Sequence, residues 1–112
     1  SMDRAAGEYS VKDLHSMRAL LRAALGSMGL DRIELSLTLM EEWDEIAGSP
    51  WAGASTPLVV KDGELIVEAG SGAAVRFLRY AVGDLSRRLD ERFGEGVINS
   101  VVVRPPPARF SP

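Results

Sequence analysis

The chain has 112 residues, no cysteine, and 13 Lys and Arg against 16 Asp and Glu, which gives a net charge of −3. This length suits one small domain with a modest core. The lack of cysteine excludes disulfides, thiol catalysis and cysteine-based zinc sites. Nucleic-acid domains are usually basic, so any phosphate-binding surface here has to be local. No apolar run reaches the ~18 residues of a membrane span, and we predict a cytoplasmic protein without membrane contact.

Two helices are predicted before any strand. Apolar residues at helical spacing predict a first helix from Val11, which stops at the glycines of GSMGLD, residues 26–31. A second helix is predicted from about residue 34 to 47, with Trp43 on its apolar face. Gly48 ends this helix, because glycine favours helix ends and the following proline cannot continue the helix.

A hairpin, a long helix and a third strand follow. In TPLVVKDGELIVEA two β-rich runs flank Asp-Gly, which tolerates the positive φ of a tight turn. Pro57 suits the beginning of an edge strand, and Gly63 suits the turn before Leu65. The long helix is predicted over about residues 73–93 and the third strand over 97–103.

The predicted order is therefore helix, helix, strand, strand, helix, strand. It indicates an α+β domain of two layers, in which a three-stranded sheet packs against helices and the last crossover is right-handed. Residues 1–10 are predicted to be a flexible N-terminus in which Ser1 resembles a cloning remnant, 11–104 to be the domain, and 105–112 to be a proline-rich extended tail. Both faces of the third strand are apolar. Either a helix covers part of the second face, or that face associates with a partner.

Few residues suggest catalysis or metal binding. His15 is the only histidine, and no acid, base and nucleophile can be assembled around it. Glu41 and Glu45 lie one turn apart but are typical of the solvated side of a helix. The GSG at residues 70–72 suggests either a weak anion site or a simple turn with Ser71 capping the helix. We therefore expect no enzymatic activity, no metal and no cofactor.

Arginines and exposed aromatic residues of the long helix form the main candidate surface. Such arginines indicate either an ordinary charged helix face or contact with a phosphate backbone, for which a guanidinium suits both geometry and charge. A tyrosine beside them could stack on a base. The candidate nucleic-acid-binding residues are Arg76, Arg79, Tyr80, Arg87 and Arg104. Arg88 and Arg92 are predicted on the other flank, near Phe77.

The run EEWDEIAGSPWAGASTPLVVKDGELIVEAGSGAAVRFLRY resembles the DciA family, formerly a domain of unknown function. The family pattern is a tryptophan, an IVG-like turn, a hairpin signature and a helix that begins near a pair in which Arg or Leu precedes Arg. The matching positions here are Trp43, Ile46-Ala47-Gly48, Ala52, Ser55, Pro57, Leu58, Gly63, Leu65, Val67 and Leu78-Arg79. LHSMRALLRAALGSMGL upstream and RLDERFGEGVINSVVVRP downstream also fit, so the resemblance covers nearly the whole chain.

This resemblance implies a KH-like fold and a bacterial, non-enzymatic DNA-replication accessory. Proteins of this kind help to load or position the hexameric replicative helicase without ATPase activity of their own. We find no clear GxxG loop of the kind that holds nucleic acid in KH domains, and the chain is acidic, so we expect helicase binding to dominate and DNA contact to be weak. The alternative is a protein–protein adaptor or a homodimerisation module that does not bind nucleic acid.

Both tryptophans are expected to anchor the fold. Trp43 is predicted to lock the second helix onto the sheet, and Trp51 to pin the connection into the hairpin, because aromatic side chains bury large areas. An exposed Trp51 would instead be a hot spot for a partner. The candidate partner-binding residues are Trp51, Phe77, Arg88 and Arg92, and the candidate structural residues are Trp43, Gly48, Pro57, Gly63 and Leu65.

Overall fold

The computed structural model describes residues 10–108, so the predictions for residues 1–9 and 109–112 lie outside the described residues. The chain divides into two compact units, one up to Glu34 and one from Leu35 onward. The elements in chain order are α1 (Val11–Ala47), β1 (Ser55–Lys61), β2 (Glu64–Ala69), α2 (Gly72–Tyr80), α3 (Val82–Phe93) and β3 (Ser100–Arg104). The α+β class with a three-stranded sheet is confirmed. Residues 105–108 of the predicted tail belong to no helix or strand.

The first helix, α1, includes both helices that the sequence predicts as separate. Ser10 begins it with a capping box, in which its hydroxyl accepts from the Asp13 N–H at 3.2 Å while the Asp13 carboxylate accepts from the Ser10 N–H at 3.2 Å. Gly26 inside α1 has φ +78°. Arg18 and Glu34 would lie ~24 Å apart along a straight helix, yet their side chains form a 2.7 Å ion pair. The predicted break is thus a sharp bend at Gly26 inside one helix.

The long helix predicted over residues 73–93 is split into α2 and α3. Ala81 interrupts it with φ −94° and ψ 0°, and its N–H bonds to the carbonyls of Leu78 and Arg79 instead of continuing the helical ladder. The apolar stripe continues across this junction, so its periodicity alone does not reveal the break. Ser71 caps α2, since its side chain accepts from the Ala74 N–H at 3.2 Å. The turn-and-cap interpretation of GSG therefore accounts for this segment.

The sheet has the order β1-β2-β3, with an antiparallel β1–β2 hairpin and a parallel β2–β3 pair. The turn of the hairpin is Asp62-Gly63, with φ of +52° and +77°, as expected for a two-residue turn with positive φ. A bulge between Pro57 and Val59 shifts the register of β1. The crossover from β2 to β3 passes through both α2 and α3.

The core of the second unit lies between one face of the sheet and the helices. Leu65 is fully buried in the central strand, where it pairs with Val60 on one side and Val101 on the other. The helices contribute the buried side chains Leu39, Trp43, Ile46, Val75, Leu78, Leu85 and Leu89. On the opposite face of the sheet Ile66 is 8 % exposed and Val59 is 43 % exposed. That face is therefore only partly covered.

No helix within residues 10–108 has the length and apolarity needed to cross a membrane.

Candidate nucleic-acid interface

The outer face of α2 presents two arginines and two aromatic rings. Because α2 turns Val75 and Leu78 into the core, the residues between and beyond them face outward. Phe77 is 65 % exposed and Tyr80 is 85 % exposed, and they lie three residues apart, on the same side of the helix. We call Arg76, Phe77, Arg79 and Tyr80 the α2 surface.

Arg76, Arg79 and Tyr80 line one shallow depression of this surface. Arg79 Nη2 donates to the main-chain carbonyl of Val103 at 3.3 Å, which fixes its guanidinium beside the end of β3. Arg104 is the next residue of that strand. Within residues 10–108, none of these three arginines forms an ion pair with a carboxylate. The structure therefore brings together three of the five candidate nucleic-acid-binding residues, Arg76, Arg79 and Tyr80. The side chain of Arg104 points to the other face of the sheet, because successive strand residues alternate and Val103 is buried in the core.

The arginines of α3 are in a different environment. Arg87 binds Asp84 at 2.7 Å and Glu91 at 2.9 Å, and Asp84 also pairs with Arg88 at 3.2 Å. The hydrogen bond from Arg87 lowers the pKa of the Asp84 carboxyl, and the same bond raises the pKa of Arg87. The fifth candidate, Arg87, thus has its charge offset by two carboxylates.

The predicted partner residues Arg88 and Arg92 both contact the last part of α1. Arg88 Nη1 donates to the main-chain carbonyl of Ala47, the last residue of α1, and so satisfies a group that a helix end leaves without a partner. Gly48 has φ +61°, and the guanidinium of Arg88 occupies the space that a β-carbon at this position would need. Arg92 forms a 3.0 Å ion pair with Glu42 of α1.

Trp51 lies inside the core, with 1 % of its surface exposed, so its ring is not available to a partner and the partner-contact prediction for it is not supported. It meets Trp43 edge to face, at 6.2 Å between ring centroids. Trp43 Nε1 donates to the Ser55 hydroxyl at 3.1 Å, and this hydroxyl donates to the Trp51 carbonyl at 2.7 Å. Both tryptophans therefore join the end of α1 to the beginning of β1, which explains why they lie so close in sequence.

By sequence, the acidic residues and the single histidine are the candidates for metal binding or catalysis. Among residues 10–108 no group of three or more His, Cys, Asp or Glu lies close enough to hold a metal. The same range contains no buried charged or polar residue. His15 is exposed on α1.

The sequence did not predict one further surface, a shallow apolar groove between α1 and β1. It is lined by Ser36, Leu39, Met40, Pro57, Leu58, Val59, Val60 and Leu65. Its two walls are far apart in sequence, and the bulge that exposes Leu58 has no clear sequence signal. Only the folded structure brings these residues together.

Comparison with known proteins identifies the family. None of the curated proteins compared with the chain shows significant similarity to it. A family model described as "Dna[CI] antecedent, DciA" matches residues 16–103. The family consists of replication accessories of the helicase-loader type, and the two-layer layout described above matches a KH-like arrangement. Because the match covers far more than half of its length, the chain belongs to the DciA family.

Proposed function

We propose that this chain is a non-enzymatic, cytoplasmic accessory of bacterial DNA replication, which binds the replicative helicase and contacts nucleic acid through the α2 surface. Family membership supports the replication role. The observation that carries the nucleic-acid part is the placement of Arg76 and Arg79, without carboxylate partners in the described residues, beside the exposed rings of Phe77 and Tyr80.

The chemistry of the α2 surface suits a single strand. A guanidinium donates to phosphate oxygens with matching geometry and charge. Tyr80 lies one helical turn from Arg76, so a base stacked on its ring would place the neighbouring phosphate within reach of that arginine. Stacking on aromatic rings is tolerant of sequence, and we therefore expect binding without strong preference for particular bases.

The affinity is expected to be modest. The net charge of the chain is −3, and the α2 surface carries two arginines, Arg76 and Arg79. Contacts to few phosphates give a weak complex that salt disrupts easily. Such a surface would guide a strand next to a tightly bound helicase more readily than it would hold DNA alone.

The helicase part is tested by capture of the purified replicative helicase of the same organism on the immobilised full chain, with no nucleic acid present. Retention of the helicase would support the proposal. No retention by a chain that gives a folded circular dichroism spectrum would contradict it. Repeating the capture with Arg76→Gln/Arg79→Gln separates helicase binding from nucleic-acid binding. Helicase retention should persist in this variant, because the change affects only the α2 surface.

A second candidate function, a protein-interaction module, is favoured by the exposed apolar side chains of α1. They include Leu14, Met17, Leu21, Leu25 and Met28, all more than one third exposed. Soluble monomers rarely expose contiguous apolar surfaces of this kind without a function. A chain that binds no oligonucleotide even at low salt, yet associates with a protein partner, would favour this function over the first.

A further inference from the structure

The groove between α1 and β1, whose residues are given above, is open and apolar. Met40 is 58 % exposed, Leu58 is 42 % exposed and Val59 is 43 % exposed. The groove encloses essentially no free volume, whereas a typical small-molecule site holds ~300–1,000 Å³. The exposed side chains of the groove are therefore a shallow surface against which apolar side chains of a polypeptide can pack.

An acidic surface adjoins this groove. A second depression, which shares Met40 and Pro57 with the groove, is lined by Glu41, Glu42, Asp44 and Glu45. Glu42 pairs with Arg92, whereas Glu41 and Glu45 form no ion pair with any residue in the range 10–108. A segment that combines an apolar stripe with basic residues is complementary to this surface.

The part of α1 before Gly26 is such a segment. Residues 11–25 expose an apolar stripe that includes Leu14, Leu21 and Leu25, and they carry Lys12, Arg18 and Arg22 against the single carboxylate Asp13. A helix of this length is only marginally stable in water unless its apolar face is covered. Its ~22 Å length also matches the ~23 Å spanned by the seven residues of β1.

We propose that residues 11–25 of one copy pack their apolar stripe against the groove of a second copy, with Arg22, on the flank of that stripe, facing the acidic surface. Reciprocal docking uses both grooves and closes a two-fold dimer. The occupant is thus a second copy of this chain, and the proposal does not depend on nucleic-acid or helicase binding.

The test is analytical ultracentrifugation of the full chain over a wide concentration series. We expect a dimer whose dissociation constant rises at least about tenfold in Leu21→Glu and in Met40→Glu, because each places a charge in the apolar contact. Ala19→Glu makes a similar charge change on the other side of the helix, where the residue is exposed, and should dimerise like the wild type. Circular dichroism checks that each variant remains folded.

Mixing the two dimerisation-defective variants gives the sharper result. In a reciprocal dimer, a 1:1 mixture of Leu21→Glu and Met40→Glu contains one intact segment and one intact groove, and these should pair in a heterodimer that neither variant forms alone. A mixture that stays monomeric would overturn the proposal. So would a wild type that is monomeric at every concentration, or a Met40→Glu variant that dimerises like the wild type.

Discussion

The helices α2 and α3 follow each other directly, and both carry arginines, but in different environments. Each of the α3 arginines has a carboxylate oxygen within 3.2 Å. Arg76 and Arg79 of α2 have none among residues 10–108, and two exposed aromatic rings lie beside them. The comparison shows that the same residue type supports the fold in one helix and leaves an available positive surface in the other.

The difference lies in the neighbours of each arginine. Helical periodicity groups Arg87 with Arg76, since both point away from the buried stripe. Asp84 and Glu91 lie three and four residues from Arg87, at the spacing where opposite charges meet on a helix. No acidic residue lies three or four residues before or after Arg76. The number of arginines on a helix is therefore a poorer indicator of phosphate binding than the presence or absence of carboxylates close to each arginine.

The largest expected effect is on nucleic-acid binding by Arg76→Gln/Arg79→Gln. This change removes two positive charges from the α2 surface, and we expect the affinity for a single-stranded oligonucleotide to fall at least about tenfold at low salt. Fluorescence anisotropy with a labelled oligonucleotide measures this effect.

The matched control is Arg87→Gln/Arg92→Gln, which changes the net charge by the same amount. These arginines are already paired with carboxylates, so we expect a much smaller loss of affinity. Equal losses in the two double variants would show that overall charge, and not the α2 surface, governs binding.

The second effect is on stability and distinguishes Arg88 from Arg76. Arg88→Ala leaves the carbonyl of Ala47 and the Asp84 carboxylate without a shared donor, and we expect it to lower the free energy of unfolding by about 1–2 kcal/mol. Arg76→Ala removes an exposed side chain and should change this free energy by less than about 0.5 kcal/mol. Urea unfolding of both variants measures the difference, and equal values would argue against a structural role for Arg88.

Tyr80→Ala tests the aromatic part of the α2 surface. The ring is 85 % exposed, so its loss should leave the melting temperature unchanged. We expect it to weaken oligonucleotide binding by about 1 kcal/mol, the low end of what stacking on a base contributes. Tyr80→Phe keeps the ring and should bind like the wild type. Weak binding by both variants would instead point to the hydroxyl.

The smallest effect is a pH dependence at Asp84. Arg87 lowers the pKa of this carboxyl from its ordinary value of 3.8, so the ionised form stabilises the folded state above pH 3.8. This contribution is lost as the pH falls through the lower folded-state pKa. Asp84→Asn lacks the ionisable group and should therefore lose less stability than the wild type on acidification below about pH 4. Urea unfolding of both proteins across this range provides the comparison.

Much of the fold was predictable from local signals. The Asp-Gly turn, the Ser71 cap and the two β-rich runs of the hairpin each follow from chemistry within a few residues. The helix boundaries were less predictable. The glycines after residue 25 indicated a break, which the structure shows as a bend inside one helix. The junction at Ala81 depends on a single backbone conformation that the apolar stripe running through it does not reveal.

The candidate site was only partly predictable for a related reason. Exposure of Tyr80 and Phe77 follows from helical periodicity, because Val75 and Leu78 define the buried side. The assignment of Arg88 to the end of α1 does not, since its partner Ala47 lies 41 residues away. Trp51 shows the same limit. Its burial depends on Trp43 and on the turn that brings the two rings together.

The most direct test of the α2 surface is the salt dependence of oligonucleotide binding by the wild type and the two double variants. For single strands the logarithm of the affinity falls with the logarithm of salt concentration by about 0.7 per phosphate contacted. We predict that Arg76→Gln/Arg79→Gln reduces this slope by about 1.4, the amount for two contacts, while Arg87→Gln/Arg92→Gln keeps the wild-type slope. Identical slopes in the two double variants, or no wild-type binding even at low salt, would contradict the assignment of nucleic-acid contact to the α2 surface.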